Sequence, residues 1–475
     1  MTEFTTDIVI GLEIHVELDT ESKLFCGCAR KGSDEPNTRT CPVCLGHPGS
    51  KPVLNKKAVE HALKLCLALD CKINPELIFS RKSYFYPDMA KNYQISQFEI
   101  PLATEGKLKL KNGKEVRIHR IHMEEDPASL THPAGMTQSS YVLVDYNRSG
   151  DPLAEIVTEP DMHGPEEARD FMKRLIEVIN YLGIFDIDNC IIKADANVSV
   201  KESGYKRVEI KNITGFKEIE RALFYEVERQ RQEAAEGRDI ANETRAWDPQ
   251  AGITRLMRKK ESEEDYGYIM DPDLTITDIT GDMIEKIKAE IPELAQEKVE
   301  KYVEKYGLDQ IDSEVLASDK GLAELFEGII RSKTVDPVLT ARWLRRELLR
   351  VLNYNKMQVK DLKIDAGQLR ELLELIEGKK ITDRVGQKIL EELVITPFDI
   401  HDYIKRNKRE AVSDSGELEK MCREAIEESE RAVAEYKEGK DKALNSIVGK
   451  VMKKSKGTAS PQEVKDIILK ELNKE

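Results

Sequence analysis

Alternation opens the chain. From Ile8 to Leu18 every even position is apolar (Ile8, Ile10, Leu12, Ile14, Val16, Leu18), and Gly11, Glu13, His15 and Glu17 occupy odd ones. A period of two over this length predicts a half-buried strand, with successive same-face side chains about 6.6 Å apart. An imidazole between two carboxylates suits a divalent cation, because both are ordinary ligands of Mg²⁺, Mn²⁺ or Zn²⁺. A solvated polar face with an incidental histidine gives the same pattern.

Periodicity continues to mark elements. Val59, Leu63, Cys66, Leu67 and Leu69 predict an amphipathic helix over 55–70. Residues 107–126 read as a hairpin around Asn112-Gly113, a type I′ turn signal. Its second strand ends in Glu124, Glu125 and Asp126, and the apolar parity changes between Ile118 and Ile121, which predicts a bulge. Parity leaves open which glutamate points inward. Two strands flank the turn Ser149–Pro152, with Glu155 and Glu159 on the second. Pro165 starts a helix that Gly183 stops. A strand with Asp195 and Asn197 follows, then a strand–helix unit from Lys206 to Gly237. Strands fade after about residue 280. The fold class is α+β: a mixed or antiparallel sheet domain over 1–290, an all-helical domain over 291–405, and a small helical tail over 406–475. In the tail, a turn-rich join at 411–417 leads to a long charged helix and two short ones separated at Gly457–Pro461.

Against this framework the cysteines stand out. Cys26, Cys28, Cys41 and Cys44 form C-x-C, twelve intervening residues, then C-P-x-C-L-G. Each short spacing delivers two thiolates to one ion, the pattern of a closed structural zinc site. Such a site leaves no position for a substrate, so the chemistry falls to the strand face beside it. The stretch Ile78–Gln97 is the most aromatic in the chain; Tyr84 and Tyr86 interleave with Arg81, Lys82 and Lys91. It fits base stacking and phosphate binding as well as ordinary core packing.

Charge narrows the partners. With 74 basic and 88 acidic residues the net charge is −14, so a polyanion must be met by local basic patches. One lies between Lys440 and Ser460, where six lysines (among them Lys450, Lys453, Lys454 and Lys456) meet one aspartate; it reads as a polyanion-binding tail. No run of eighteen apolar residues exists, so no membrane span is expected. The N-terminus lacks signal-peptide character, and the cysteine usage fits a reducing cytoplasm. No Walker A loop, HExxH or GxSxG motif is present, so any use of ATP is on a non-standard scaffold.

Taken together, GLEIHVEL (11–18), FCGC…PNTRTCPVCLG (25–46), RKSYFYPDMAKNYQISQ (81–97), HMEED (122–126), EIVTEPDM (155–162), DANVSV (195–200) and EIKNITGF (209–216) resemble the B subunits of the tRNA-dependent amidotransferases. The likeness runs over nearly the whole chain and extends to a YqeY-like tail. It implies a cradle-type catalytic domain that uses ATP to phosphorylate the side-chain carboxylate of misacylated Glu-tRNA or Asp-tRNA. It also implies an amidase A subunit that supplies ammonia from glutamine, and a small C subunit that joins the two. The activity that the resemblance implies is that of a glutamine-dependent carbon–nitrogen ligase.

By the same resemblance, His15, Glu125 and Glu155 hold Mg²⁺ (or Mn²⁺), with Glu13 nearby; here the likeness favours Glu125 over Glu124. Lys82, Tyr84 and Tyr86 bind the nucleotide, Asp195 completes the acidic ring, and the four cysteines hold zinc. The family's EEDAGK and DYRYFPEPDL appear as EEDPASL (124–130) and DYGYIMDPDL (265–274), and Lys193 stands where an arginine is usual. A zinc-stapled, non-catalytic tRNA-binding adaptor is the alternative.

Overall fold

The computed structural model describes residues 6–135, 139–186, 190–259, 267–407, 415–437, 440–455 and 458–472. The chain divides into two compact units, Met1–Pro292 and Glu293–Glu475.

In the first unit the strands that build the two larger sheets are β1 (Ile8–Glu17), β2 (Lys72–Ile73), β3 (Ser80–Ser83), β4 (Tyr93–Ser96), β5 (Ala103–Lys109), β6 (Glu115–Glu125), β7 (Pro152–Thr158), β8 (Ile192–Val200), β9 (Val208–Thr214), β10 (Glu243–Asp248), β11 (Ile253–Lys259) and β12 (Gly267–Met270). A nine-stranded sheet runs β11-β10-β9-β8-β1-β7-β6-β5-β2. All its pairings are antiparallel except β9 with β10, so the sheet is mixed. A smaller sheet, β12-β3-β4, shares no strand pairing with it but contacts β6 through Gln94 and Ile95.

β1 lies at the centre because both its edges are paired and one of its faces is oily. Ile10, Leu12, Ile14 and Val16 are at most 1% exposed, and burying each contributes about 1.5–3 kcal/mol. Helices α1 (Lys56–Ala68), α2 (Pro165–Leu182) and α3 (Phe216–Ala235) accompany the sheet. Phe171, Met172, Leu175 and Ile179 form the buried stripe of α2; Pro165 opens that helix and Gly183, at φ +64°, closes it.

The β5–β6 hairpin departs from the expected turn. Gly113 alone in its loop takes a positive φ, +86°, and Gly113 N donates to Leu110 O. That is the three-residue loop with a left-handed glycine, whereas a type I′ turn requires two positive φ values. The bulge expected near Ile118 is present: Val157 pairs with Arg120, but Thr158 pairs with Ile118.

The second unit is helical, as the periodicity implies. Asp309, Asp319, Asp336, Asp365 and Thr382 each cap a helix by accepting from a first-turn backbone N–H, typically worth about 1 kcal/mol. In the tail the single long charged helix is two, Ser415–Glu427 and Glu430–Lys437, broken at Ser429. Leu418, Cys422, Ile447, Val451, Val464 and Ile468 give the tail a hydrophobic cluster of its own. Residues 411–414 of the expected join, and Lys456, lie outside the described residues.

Candidate metal and reaction centre

Cross-strand register builds the site. His15 on β1 lies opposite Lys193 on β8 and Glu155 on β7, and Glu155 lies opposite His122 on β6. Partners directly opposite share a face, so Lys193, His15, Glu155 and His122 make one row across four strands. The next row holds Asp195 opposite Glu13.

At the centre, His15 Nε2 is 3.5 Å from Glu124 Oε1 and 3.4 Å from Glu155 Oε2. The ligand atoms of His15, Glu124 and Glu155 lie within 4.8 Å of one another. His122 Nε2 stands 3.0 Å from the same Glu155 oxygen, and its Nδ1 is buried without a hydrogen-bond partner among the described residues. The cluster floors a cavity of about 400 Å³ that Glu13, Asp195, Lys82, Arg148, Lys193 and Lys211 also line.

Glu125 is not in this cluster, contrary to the resemblance. Its carboxylate pairs with Lys91 and accepts from Ile95 N at 2.8 Å. The reason is the bulge. Beyond it Ile121 and Met123 occupy the apolar face, so Glu125 follows them while His122 and Glu124 share the opposite one. The signal lies in the sequence, in the alternation I-H-M-E-E (121–125).

The other expected residues divide. Glu13, His15, Glu155, Asp195 and Lys82 surround one cavity, whereas Tyr84 and Tyr86 are not among its lining residues. Lys82 Nζ lies 5.9 Å from the centroid of the Tyr84 ring, and Tyr86 is 54% exposed. The cavity also draws on Arg148, Lys211 and Asp126, which periodicity did not single out. Lys211 Nζ bridges Asp195 and Glu209, 2.7 Å from each, and Asn197 Nδ2 donates to Glu13 at 3.0 Å.

Protonation states follow from burial and crowding. Burial lowers His15, but the hydrogen bond and charge of Glu155 outweigh it and lift the imidazole to about 9. Burial likewise raises Glu155, yet His122 and His15 hold it well below its ordinary value. Glu124 is raised by burial and by the charge of Glu155. Without a cation the two carboxylates are therefore unequal, Glu155 favouring its ionised form more strongly than Glu124; a divalent ion would favour ionisation of both.

The four cysteines converge as a second cluster, with their Sγ atoms within 4.8 Å of one another. Cys41 N donates to Cys44 Sγ at 3.2 Å, and Gly46 takes φ +67° where the chain turns away. A backbone N–H directed at sulfur and a left-handed glycine shape a loop for tetrahedral thiolate binding, compatible with structural zinc. In the tail, Lys450 donates to the Glu428 carbonyl and Lys454 pairs with Glu424 and Glu428, while Lys453 is exposed.

A carboxylate–imidazole centre on a mixed sheet, beside a four-cysteine loop and followed by helices, defines a class. Residues 8–285 match the family model of the GatB/GatE catalytic domain, and 324–472 match that of the GatB domain. The B subunit of the aspartyl/glutamyl-tRNA(Asn/Gln) amidotransferase of Thermodesulfovibrio yellowstonii is 42% identical over 473 residues, 98% of each chain. Its counterparts in Thermotoga maritima and Sulfolobus acidocaldarius are 42% and 44% identical, each over 98% of this chain and 99% of their own. The chain belongs to the family of aspartyl/glutamyl-tRNA amidotransferase B subunits.

Proposed function

We propose that this chain activates the side-chain carboxylate of misacylated Glu-tRNA(Gln), Asp-tRNA(Asn) or both, by phosphorylation from ATP. Ammonia then displaces phosphate to give the amide, with an amidase A subunit and a small C subunit as partners. The observation that carries this reading is the His15–Glu124–Glu155 cluster in a cavity that Lys82, Arg148 and Lys193 also line. Phosphoryl transfer needs positioning and charge neutralisation more than covalent chemistry.

His15, Glu124 and Glu155 would hold Mg²⁺ or Mn²⁺, which neutralises phosphate charge when bound. Glu124 replaces Glu125 in this assignment. Lys82, Lys193 and Arg148 offer positive charge to phosphate oxygens, and Lys82 lies near Tyr84 for the nucleotide. His122 fixes the Glu155 carboxylate through its hydrogen bond, and Lys211 positions Asp195 through an ion pair. The four cysteines, as a closed zinc site, order the loop without entering bond-making. We assign residues 406–475 to tRNA binding, led by exposed Lys453.

The test is transamidation by the reconstituted three-subunit complex with each misacylated tRNA, following ATP consumption. Metal-dependent ATP cleavage should require the misacylated tRNA and disappear in Glu124→Gln. A protein that binds tRNA tightly yet binds no divalent ion beyond zinc would instead be a non-catalytic adaptor.

A further inference from the structure

Beside the four cysteines lies a buried cation with no part in the reaction centre. Lys23 is 0% exposed and ranks among the largest fully buried side chains of the described residues. Its ammonium lies 3.8 Å from Cys44 Sγ and 3.2 Å from the Tyr146 carbonyl oxygen, with no carboxylate within ion-pairing distance among the described residues. A buried cation without an anion is costly, and lysine is almost never fully buried unpaired. Asp151, a buried carboxylate, feels this charge from outside ion-pairing distance, and Cys44 Sγ at 3.8 Å is the nearer group that can carry an anion.

The need is mutual. Four thiolates around a divalent ion carry two net negative charges. Cys26, Cys28 and Cys41 are partly exposed and can share theirs with water, but Cys44 is buried. Its sulfur accepts from Cys41 N on one side and from Lys23 on the other. The pocket also has a shape: Gly150 adopts φ +92°, and a Cβ there would lie 3.4 Å from Lys23 Cδ and 3.6 Å from Cys44 Cβ. The turn holding the Tyr146 carbonyl thus closes over the lysine stem. That turn carries Arg148, whose guanidinium meets Asp126 at 3.0 Å, and both residues line the reaction cavity.

We propose that Lys23 is a positioning residue of the metal loop: its buried ammonium neutralises the metal-loaded thiolate cluster at Cys44 and ties it to the 146–151 turn. The inference rests on reading the four cysteines as a metal site. Partners just outside the ligand shell typically change metal affinity by about 10–100-fold, and a loss in that range is expected for Lys23→Met. Lys23→Gln, which keeps a donor without the charge, should fall between.

The full chain is titrated with Zn²⁺ against a chromogenic chelator, and with Co²⁺ to follow the sulfur-to-cobalt charge-transfer band. Lys23→Met should lose Zn²⁺ more readily, and its Co²⁺ band should move to longer wavelength as the Cys44 thiolate loses its hydrogen bond. A merely space-filling lysine would leave the band in place. If Lys23→Met does not fold, Lys23→Gln provides both readouts. Zinc retention within about twofold of wild type with an unmoved band, against the tenfold or greater loss expected, overturns the proposal. A wild-type chain that takes up neither ion fails the metal-site reading itself, a distinguishable outcome.

Discussion

Metal binding at the reaction centre should compete with a proton. The Glu155 hydrogen bond lifts His15 to about 9 against the opposing effect of burial, so at pH 7 the imidazole is protonated. A cation that uses this ring must expel that proton. The gap of about two units corresponds to about 2.7 kcal/mol, roughly a hundredfold in apparent affinity. Apparent Mn²⁺ affinity should therefore climb about tenfold per pH unit from 7 towards 9 and level off above. Calorimetry in two buffers of different ionisation enthalpy counts the protons released, and at least one is expected at pH 7. Because Glu124 is also raised, the count can exceed one but not vanish. Glu155→Gln removes the chief stabiliser of the imidazolium, so the pH dependence should shift to lower pH even as binding weakens. Flat affinity from pH 7 to 9 without proton release would refute the reasoning.

Further perturbations probe other levels. Glu124→Gln should abolish ATP-dependent transamidation with little change in melting temperature. Glu125→Gln leaves Lys91, 9% exposed at its side chain, without its partner, and should cost about 3–5 kcal/mol of stability by denaturant titration; the reverse pattern would return Glu125 to the metal. Ile14→Ala, at a fully buried centre of β1, should cost about 2–5 kcal/mol in the same titration, and a loss below that would mean the sheet core is not continuous there. Removing residues 406–475 should weaken tRNA binding and flatten its dependence on salt. Within that segment Lys453→Glu should do more harm than Lys454→Ala, because Lys454 is already paired with Glu424 and Glu428; equal effects would argue against exposed charge as the cause.

Much of the architecture was legible in single segments. The alternation Ile8–Leu18 names a strand because period two is a local property, and Pro165 with Gly183 brackets a helix because caps act within a turn. The cysteine spacing is equally local: C-x-C and C-P-x-C each bring two sulfurs together whatever the rest of the chain does. The hairpin turn was not legible, because Asn-Gly serves two loop lengths, and only the hydrogen bonds across the loop distinguish them. Residues of the cavity around His15 such as Arg148 and Lys211 carried no local signal, since nothing nearby in sequence marks them as neighbours of His15.

By itself, then, the sequence determined the strand bearing Glu13, His15 and Glu17, the four-sulfur loop, and the order of a mixed sheet followed by helices. Each rests on interactions between residues close in the chain. Tertiary structure decided which carboxylates meet His15. That depended on the register of β1 against β7 and of β7 against β6, and on one bulge that turns Glu124 inward and hands Glu125 to Lys91. Register is a relation between distant segments, fixed by how their apolar faces pack together. Packing then settled the charges: it sets Glu155 beside His15, where the carboxylate outweighs the opposing effect of burial and keeps the imidazole protonated, and it buries Lys23 against Cys44.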